Sequence, residues 1–216
     1  MNIKKTANLV LNFAIKRIAE IFGIIIFVSG VLLFASLISY SPDDPNFIFP
    51  ENTQIKNLLG FQGSFISDLF FQAVGLIAYL ISITFLITGI NIFNSKEFFL
   101  FIENIFFVVL YAIFGTLLLA HYYSDTFNIY INGNGGFVGN YLKQTFLNSL
   151  LISNEKIFYY ILLLVTSILF LISINFNRKK FILIIKKIFN LFQKDNKIYT
   201  DKSEIINEYI PQDEIK

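Results

Sequence analysis

The sequence predicts an all-α membrane protein built as a four-helix transmembrane bundle. Of 216 residues, 55% are apolar, 27 are Phe and only 15% are charged, against about 25% charged in an ordinary soluble domain. Because a helix rises ~1.5 Å per residue, ~20 apolar residues cross the ~30 Å hydrocarbon core. Four stretches that lack Asp, Glu, Lys and Arg are at least this long: Ile21–Pro42, Leu69–Ser95, Asn104–Ser124 and Ile157–Asn177.

These stretches predict a membrane domain over residues 18–176, with spans at about 18–40, 65–93, 99–122 and 156–176. The first stretch is too long for the apolar region of a signal peptide, so we expect it to be an uncleaved helix. With the N-terminus inside, fourteen Lys and Arg fall on the cytoplasmic side and three fall outside. The positive-inside rule therefore predicts that both termini are cytoplasmic.

The segments outside the spans are predicted from their charge and periodicity. Residues 1–17 form a cytoplasmic N-terminus, and Gly139–Ile152 in the second outer loop reads as a short amphipathic helix. Residues 177–194 contain a basic amphipathic helix, Phe181–Phe192, expected at the membrane interface. Residues 195–216 hold six acids, three Lys and a Pro, which is typical of the start of a disordered cytoplasmic linker.

Residues that carry chemistry are few. The chain has no Cys and one His, so we predict no catalytic, cofactor or metal site, and we assign His121 to an interfacial aromatic belt. The phosphate-loop pattern G-x-x-x-x-G-K-[ST] is absent. Asp68 is expected in the first turn of the second span, where the helix dipole favours an acid. Composition and pattern alone indicate a multi-pass membrane anchor or interaction module.

Two outer segments carry recurring motifs. The first span is followed by Ser39-Tyr40-Ser41-Pro42-Asp43-Asp44-Pro45, where Pro42 disfavours helix at Ser41. The sequence Asn57–Leu69 then leads into the second span, which contains Ala73–Tyr79, and Gly135–Gly139 lies in the second outer loop. The candidate structural residues in these motifs are Ser39, Tyr40, Pro42, Asp44, Pro45, Gly60, Gly63, Asp68, Gly75, Gly136 and Gly139.

In order, spacing and topology these motifs resemble the N-terminal four-transmembrane region of the FtsK/SpoIIIE DNA translocases. The resemblance covers about residues 18–176. The departures are Asn46 for Ser, Phe47 for Trp, and Ser64 and Ser67 for Ala, all of which preserve size or aromatic character.

The resemblance implies an anchor in the bacterial inner (plasma) membrane, concentrated at the division septum. It implies contacts with the lipid bilayer and divisome membrane proteins, and a homo-oligomer that is hexameric by family resemblance. ATP, Mg and DNA would be bound by a motor domain absent from this chain, which is itself expected to have no enzyme activity. Whether the chain is a fragment of a larger protein or a stand-alone module is left open. The alternative function is a small multi-pass transporter or channel subunit.

Overall fold

The computed structural model describes residues 3–45, 54–124, 132–145 and 147–176, together with Lys186. The chain divides into two units, Met1–Phe176 and Asn177–Lys216. Apart from Lys186, the second unit lies outside the described residues. The predicted basic helix at 177–194 and the predicted linker at 195–216 therefore remain predictions.

The described residues of the first unit are helical almost throughout. Seven helices follow one another: α1 Ile3–Ile38, α2 Gly60–Val74, α3 Ile77–Ser95, α4 Phe99–Tyr122, α5 Gly136–Lys143, α6 Leu147–Ser153 and α7 Glu155–Ser173. In this part of the chain, α1 (from Asn8), α3, α4 and α7 are long and apolar enough to cross a membrane. The predicted four-helix transmembrane architecture is confirmed.

The second span differs from its prediction. Instead of one helix over 65–93, the chain forms α2, turns at Gly75 and continues as α3. Gly75 has φ +58°, and the N–H of Leu76 donates to the carbonyl of Asn134 at 3.0 Å instead of continuing α2. The predicted span was too long because the charge-free stretch begins at Leu69, inside α2, and continues through the turn into α3.

The bounds of the other helices differ less from those predicted. The third span was predicted at 99–122, as observed, whereas α1 begins well before residue 18 and ends at Ile38, and α7 ends at Ser173 rather than 176. The single helix predicted over 139–152 is wrong: α5 ends at Lys143 and α6 begins at Leu147. The hydroxyl of Thr145 donates to the carbonyl of Leu142 at 2.6 Å and accepts the N–H of Leu147 at 3.4 Å, stabilising the break.

Glycines bring α1 and α3 into backbone contact. A Cβ at Gly23 would lie 2.7 Å from the nitrogen of Phe93, and one at Gly89 would lie 2.5 Å from the nitrogen of Phe27. Gly30 faces Leu86 at the same close range. In lipid, where apolar burial gives little driving force, such close packing supplies the association energy.

The bundle has two ends, the turn end and the loop end. The turn end holds the α3–α4 turn, where the carboxylate of Glu20 pairs with Lys96 at 2.9 Å and with Arg17 at 2.5 Å. The loop end holds the segment between α1 and α2, together with α5 and α6. Since Gly23 lies against Phe93 and Gly30 against Leu86, α1 and α3 run in opposite directions. The Glu20–Lys96 pair places Glu20 of α1 level with the end of α3.

A hydrogen-bonded loop platform as the candidate functional site

The predicted motif residues of the first loop meet at the loop end in one hydrogen-bonded structure, the loop platform, formed by the described residues between Ser36 and Tyr79. It begins where α1 ends. The hydroxyl of Ser39 donates to the carbonyl of Ala35 at 2.7 Å and accepts the N–H of Leu58 at 3.0 Å. Ser39 therefore joins the last turn of α1 to the returning loop.

Asp44 closes the loop. Its carboxylate is almost completely buried and accepts the backbone N–H groups of Lys56 at 2.8 Å and Asn57 at 2.9 Å. Hydrogen bonds to a carboxylate are stronger than neutral ones. The neighbouring Asp43 instead lies at the surface and pairs with the ammonium of Lys56 at 3.0 Å. That hydrogen bond and the charge of Asp43 raise the pKa of Lys56.

Asn57 links three elements. Its side-chain amide donates to the carbonyl of Ser36 at 2.9 Å and lies 3.5 Å from the hydroxyl of Ser67. Ser36 in turn donates to the carbonyl of Gly63 at 2.6 Å. Any Cβ at Gly63 would collide with the Asn57 side chain. Asn57 begins one of the motif segments, but neither it nor Ser36 was among the predicted site residues, because a local pattern carries no signal for contact with a distant carbonyl.

Asp68 lies elsewhere than predicted. It is the ninth of fifteen residues in α2, so the dipole of a first turn does not act on it. Its nearly buried carboxylate accepts the phenol of Tyr40 at 3.2 Å, and the amide of Gln72 lies 3.5 Å away. The Tyr40 ring packs on Phe71 with centroids 4.9 Å apart. Asp68 thus orients an aromatic side chain from the end of α1.

Pro45 and Gly60 complete the platform. The carbonyl of Pro45 accepts the hydroxyl of Ser64 at 2.9 Å. Gly60 begins α2 with φ +65°, and a Cβ there would meet no atom within 4 Å, so the backbone conformation alone calls for glycine. Pro42 lies in the turn whose hydrogen bond runs from the N–H of Asp44 to the carbonyl of Ser41 at 3.2 Å.

The other three predicted residues form a separate glycine junction between α2, α4 and α5. Gly136 has φ +63°, and a Cβ there would lie 2.6 Å from the nitrogen of Gly75. A Cβ at Gly75 would overlap the carbonyl of Asn134, and one at Gly139 would overlap the carbonyl of Thr116. These glycines allow the second loop to seat directly on the α2–α3 turn.

His121 belongs to an aromatic cluster at the loop end. Its ring lies 4.6 Å from that of Tyr122, and the hydroxyls of Tyr123 and Tyr159 are 2.8 Å apart. Within the described residues no group of three His, Asp or Glu could hold a metal ion. The predictions that the chain has no catalytic, cofactor or metal site stay predictions.

A second polar network, missed from the sequence, lies inside the bundle. The hydroxyl of Thr84 lies 3.1 Å from that of Tyr111 and 3.3 Å from that of Ser173. Asn104, which is 1% exposed, donates to Thr88 at 2.8 Å and accepts from Asn175 at 3.1 Å. A search for charged residues overlooks these neutral side chains, which connect α3, α4 and the end of α7.

Four apolar helices joined by a hydrogen-bonded loop platform define a multi-pass helical membrane protein in a lipid bilayer. Residues 15–183 match the family described as the 4TM region of DNA translocase FtsK/SpoIIIE, and the chain belongs to this family. The match spans most of α1 and all of α2 to α7, in agreement with the resemblance seen in the motifs.

Three curated relatives carry the name DNA translocase FtsK. The chain is 26% identical to that of Rickettsia typhi over 158 residues, which cover 73% of this chain and 21% of the relative. It is 32% identical to that of Rickettsia bellii over 135 residues, 61% of this chain and 18% of the relative. It is 29% identical to that of Azospirillum brasilense over 110 residues, which cover 50% of this chain and 17% of the relative.

The aligned region thus spans about a fifth of the length of these relatives. No solved structure matches the chain.

Proposed function

We propose that this chain is the membrane-anchoring and septum-targeting domain of an FtsK-like DNA translocase that couples cell division to chromosome segregation. The observation that carries the proposal is the family match over residues 15–183. The relatives' name supplies the activity of the whole protein. In this proposal the chain holds that machine in the bacterial inner membrane at the division site.

DNA pumping belongs to the parent protein in this proposal. The aligned region spans only about a fifth of each relative, and the 216 residues contain no phosphate-loop pattern. ATP, Mg and DNA would therefore be bound by a motor domain outside this sequence, and this chain would be no enzyme. Purified chain should show no ATP hydrolysis above the level of an empty-membrane preparation, and an ATPase activity that copurifies through two columns would contradict this assignment.

The loop platform is the proposed contact for divisome membrane proteins. Its hydrogen bonds fix α2 beside the bundle, and α2 and the loop before it expose apolar side chains. Leu58 is 75% exposed, Leu69 is 56% exposed and Phe61 is 45% exposed. Exposed apolar side chains on a rigid polar frame are typical of protein interaction sites.

We also propose that the chain forms a homo-oligomer, which is hexameric by family resemblance. Cross-linking of the full chain in membranes would give the number of subunits.

The proposed topology places both termini in the cytoplasm and the loop end outside. It is supported by the fourteen-to-three distribution of Lys and Arg and by the pairing of Lys96 with Glu20 beside Arg17, which gathers basic residues at the turn end. Because the chain has no Cys, single cysteines can be labelled. Leu58→Cys should react with an impermeant maleimide in intact cells, and Glu97→Cys only after lysis. The reverse order would contradict the topology.

Septal targeting is tested with a fluorescent fusion of residues 1–216 in dividing cells of a related bacterium. We expect a midcell band that is lost in a Leu58→Asp, Leu69→Asp double variant and kept in Glu97→Gln, an exposed change at the other end. Both variants must be present at equal amounts in the membrane fraction. Uniform envelope fluorescence of the intact wild-type fusion would contradict septum targeting while leaving the membrane anchor in place.

The alternative, a small transporter or channel subunit, gains no specific support. The buried polar side chains of α3, α4 and α7 hydrogen-bond to one another, as in a structural network. A reproducible solute flux through purified chain in liposomes, abolished by Asn104→Leu, would favour the transporter over the anchor.

A further inference from the structure

The first part of α1 extends beyond the packed bundle. At ~1.5 Å per residue the 36 residues of α1 are ~54 Å long, far more than the ~30 Å of a hydrocarbon core. All side chains from Asn8 to Ile18 are exposed, and the first buried one is Ala19. Glu20, paired with Lys96, marks the level at which the bundle begins. Residues 3–18, here called the N-terminal extension, therefore project past the turn end.

The N-terminal extension has an apolar side that nothing in the described chain covers. Val10, Ala14 and Ile18 lie four residues apart on one side of the helix, and all three are exposed. Val10 and Ile18 are 64% and 57% exposed. The same strip continues along the span through Ile21 and Ile25, which are 58% and 55% exposed. The strip on the extension is thus continuous with the lipid-facing surface of the transmembrane part of α1.

A narrow polar stripe lies on the opposite side, between the exposed apolar side chains of Leu9 and Ile15. Asn8, Asn12 and Lys16 also lie four residues apart, and all three are exposed. At 100° per residue, position 12 is ~160° from position 10 around the helix. The extension is therefore an apolar helix with one polar stripe, and it is covalently continuous with a transmembrane helix.

Every charged residue of the extension is basic. The first nineteen residues contain Lys4, Lys5, Lys16 and Arg17 and no acid. The first acid, Glu20, is already paired with Arg17 and Lys96. The guanidinium of Arg17 also lies 5.1 Å from the centroid of the Phe13 ring, which shields one apolar side chain that lies off the strip.

We propose that the N-terminal extension binds anionic phospholipid on the cytoplasmic leaflet, with Val10, Ala14 and Ile18 immersed at the boundary between headgroups and acyl chains. The assignment to that leaflet rests on the proposed topology. Burying the apolar strip removes it from water, and the cations meet lipid phosphates. The N-terminal extension of a second copy would cover the strip less well, because it would bring the same four cations and no acid.

The test uses full-length chain in vesicles whose two leaflets have the same composition, so that orientation does not affect it. Single cysteines at Val10→Cys and Asn12→Cys carry an environment-sensitive fluorophore, and Asn12→Cys is the matched control on the polar side. Val28→Cys in the span reports insertion. Quenchers are a nitroxide on a lipid acyl chain and aqueous iodide. The vesicles contain phosphatidylcholine either alone or with phosphatidylglycerol.

In vesicles with phosphatidylglycerol we expect the nitroxide to quench the label at position 10 several-fold more than that at position 12, and iodide to do the reverse. Since each basic residue near an anionic surface contributes about five-fold in affinity, the immersed fraction should fall in phosphatidylcholine alone. In anionic vesicles, the immersed fraction of the triple variant Lys4→Gln, Lys5→Gln, Lys16→Gln should fall to a similar extent.

Two outcomes would overturn the proposal, provided that Val28→Cys reports insertion. One is equal iodide quenching at positions 10 and 12 in anionic vesicles. The other is disulfide cross-linking between copies at position 10 without nitroxide quenching, which would show that a second copy covers the strip. Neither outcome bears on septum targeting, which is tested by the fluorescent fusion.

Discussion

The side-chain amide of Asn57 donates to the main-chain carbonyl of Ser36, 2.9 Å away, in a site where both residues are buried. That carbonyl lies in the last turn of α1, where helix carbonyls lack intrahelical partners. A loop residue thus supplies the partner that the helix itself cannot, and the first loop is attached to the span at this point. The consequences for stability can be measured.

Asp44→Ala should destabilise the folded chain by about 3 kcal/mol, because two buried N–H groups lose a charged acceptor. The matched control, Asp43→Ala, removes an exposed ion pair and should leave the stability nearly unchanged. Thermal unfolding of purified protein in detergent measures both. Equal losses in the two variants would show that the buried carboxylate does not hold the loop.

Gly75→Ala and Gly60→Ala place a Cβ at two positions of positive φ, +58° and +65°. Gly60→Ala should cost about 1 kcal/mol of backbone strain, since nothing lies within 4 Å. Gly75→Ala should cost several-fold more, because its Cβ would overlap the carbonyl of Asn134. Thermal unfolding in detergent measures both variants. Similar losses of stability at the two sites would mean that the second loop does not pack on the α2–α3 turn.

Asn104→Ala and Asn175→Ala test the network inside the bundle. Each should cost about 1–2 kcal/mol, and the double variant should cost about 0.6 kcal/mol less than the sum, as for hydrogen bonds inside membranes. Asn94→Ala, exposed at the end of α3, is the control and should be near neutral. Strict additivity of the pair would argue against their 3.1 Å hydrogen bond.

The Asp43–Lys56 pair should appear as a pH effect of known sign. Because Asp43 raises the pKa of Lys56 above its ordinary value of 10.5, the contribution of the pair is complete at neutral pH. It is lost as the pH rises through the folded-state pKa. Asp43→Asn should lower the pKa of Lys56, read from the NMR shift of its Cε carbon. An unchanged pKa of Lys56 in the Asp43→Asn variant would show that the two side chains are not paired in the folded protein.

The architecture was predictable where it depends on burial in lipid, and less so where it depends on single hydrogen bonds. Four long charge-free stretches identify four spans because charges are costly in hydrocarbon. The break at Gly75 was missed because its cause is the carbonyl of Asn134, nearly sixty residues away. The motif residues were found, but the position of Asp68 in α2 and the partners Asn57 and Ser36 depend on tertiary contacts that no local pattern contains.

The order of the loop platform along the chain has a consequence for biosynthesis. Its hydrogen bonds at Ser36, Asp44, Asn57 and Asp68, including the partners Tyr40 and Gln72, all join residues between Ser36 and Gln72. The glycine contacts between α1 and α3 need nothing beyond Phe93. This half of the protein can therefore assemble while α4 and α7 are still being translated. The second half of the chain would then pack against a first half that is already folded. The glycine junction and the Asn104 network would form last.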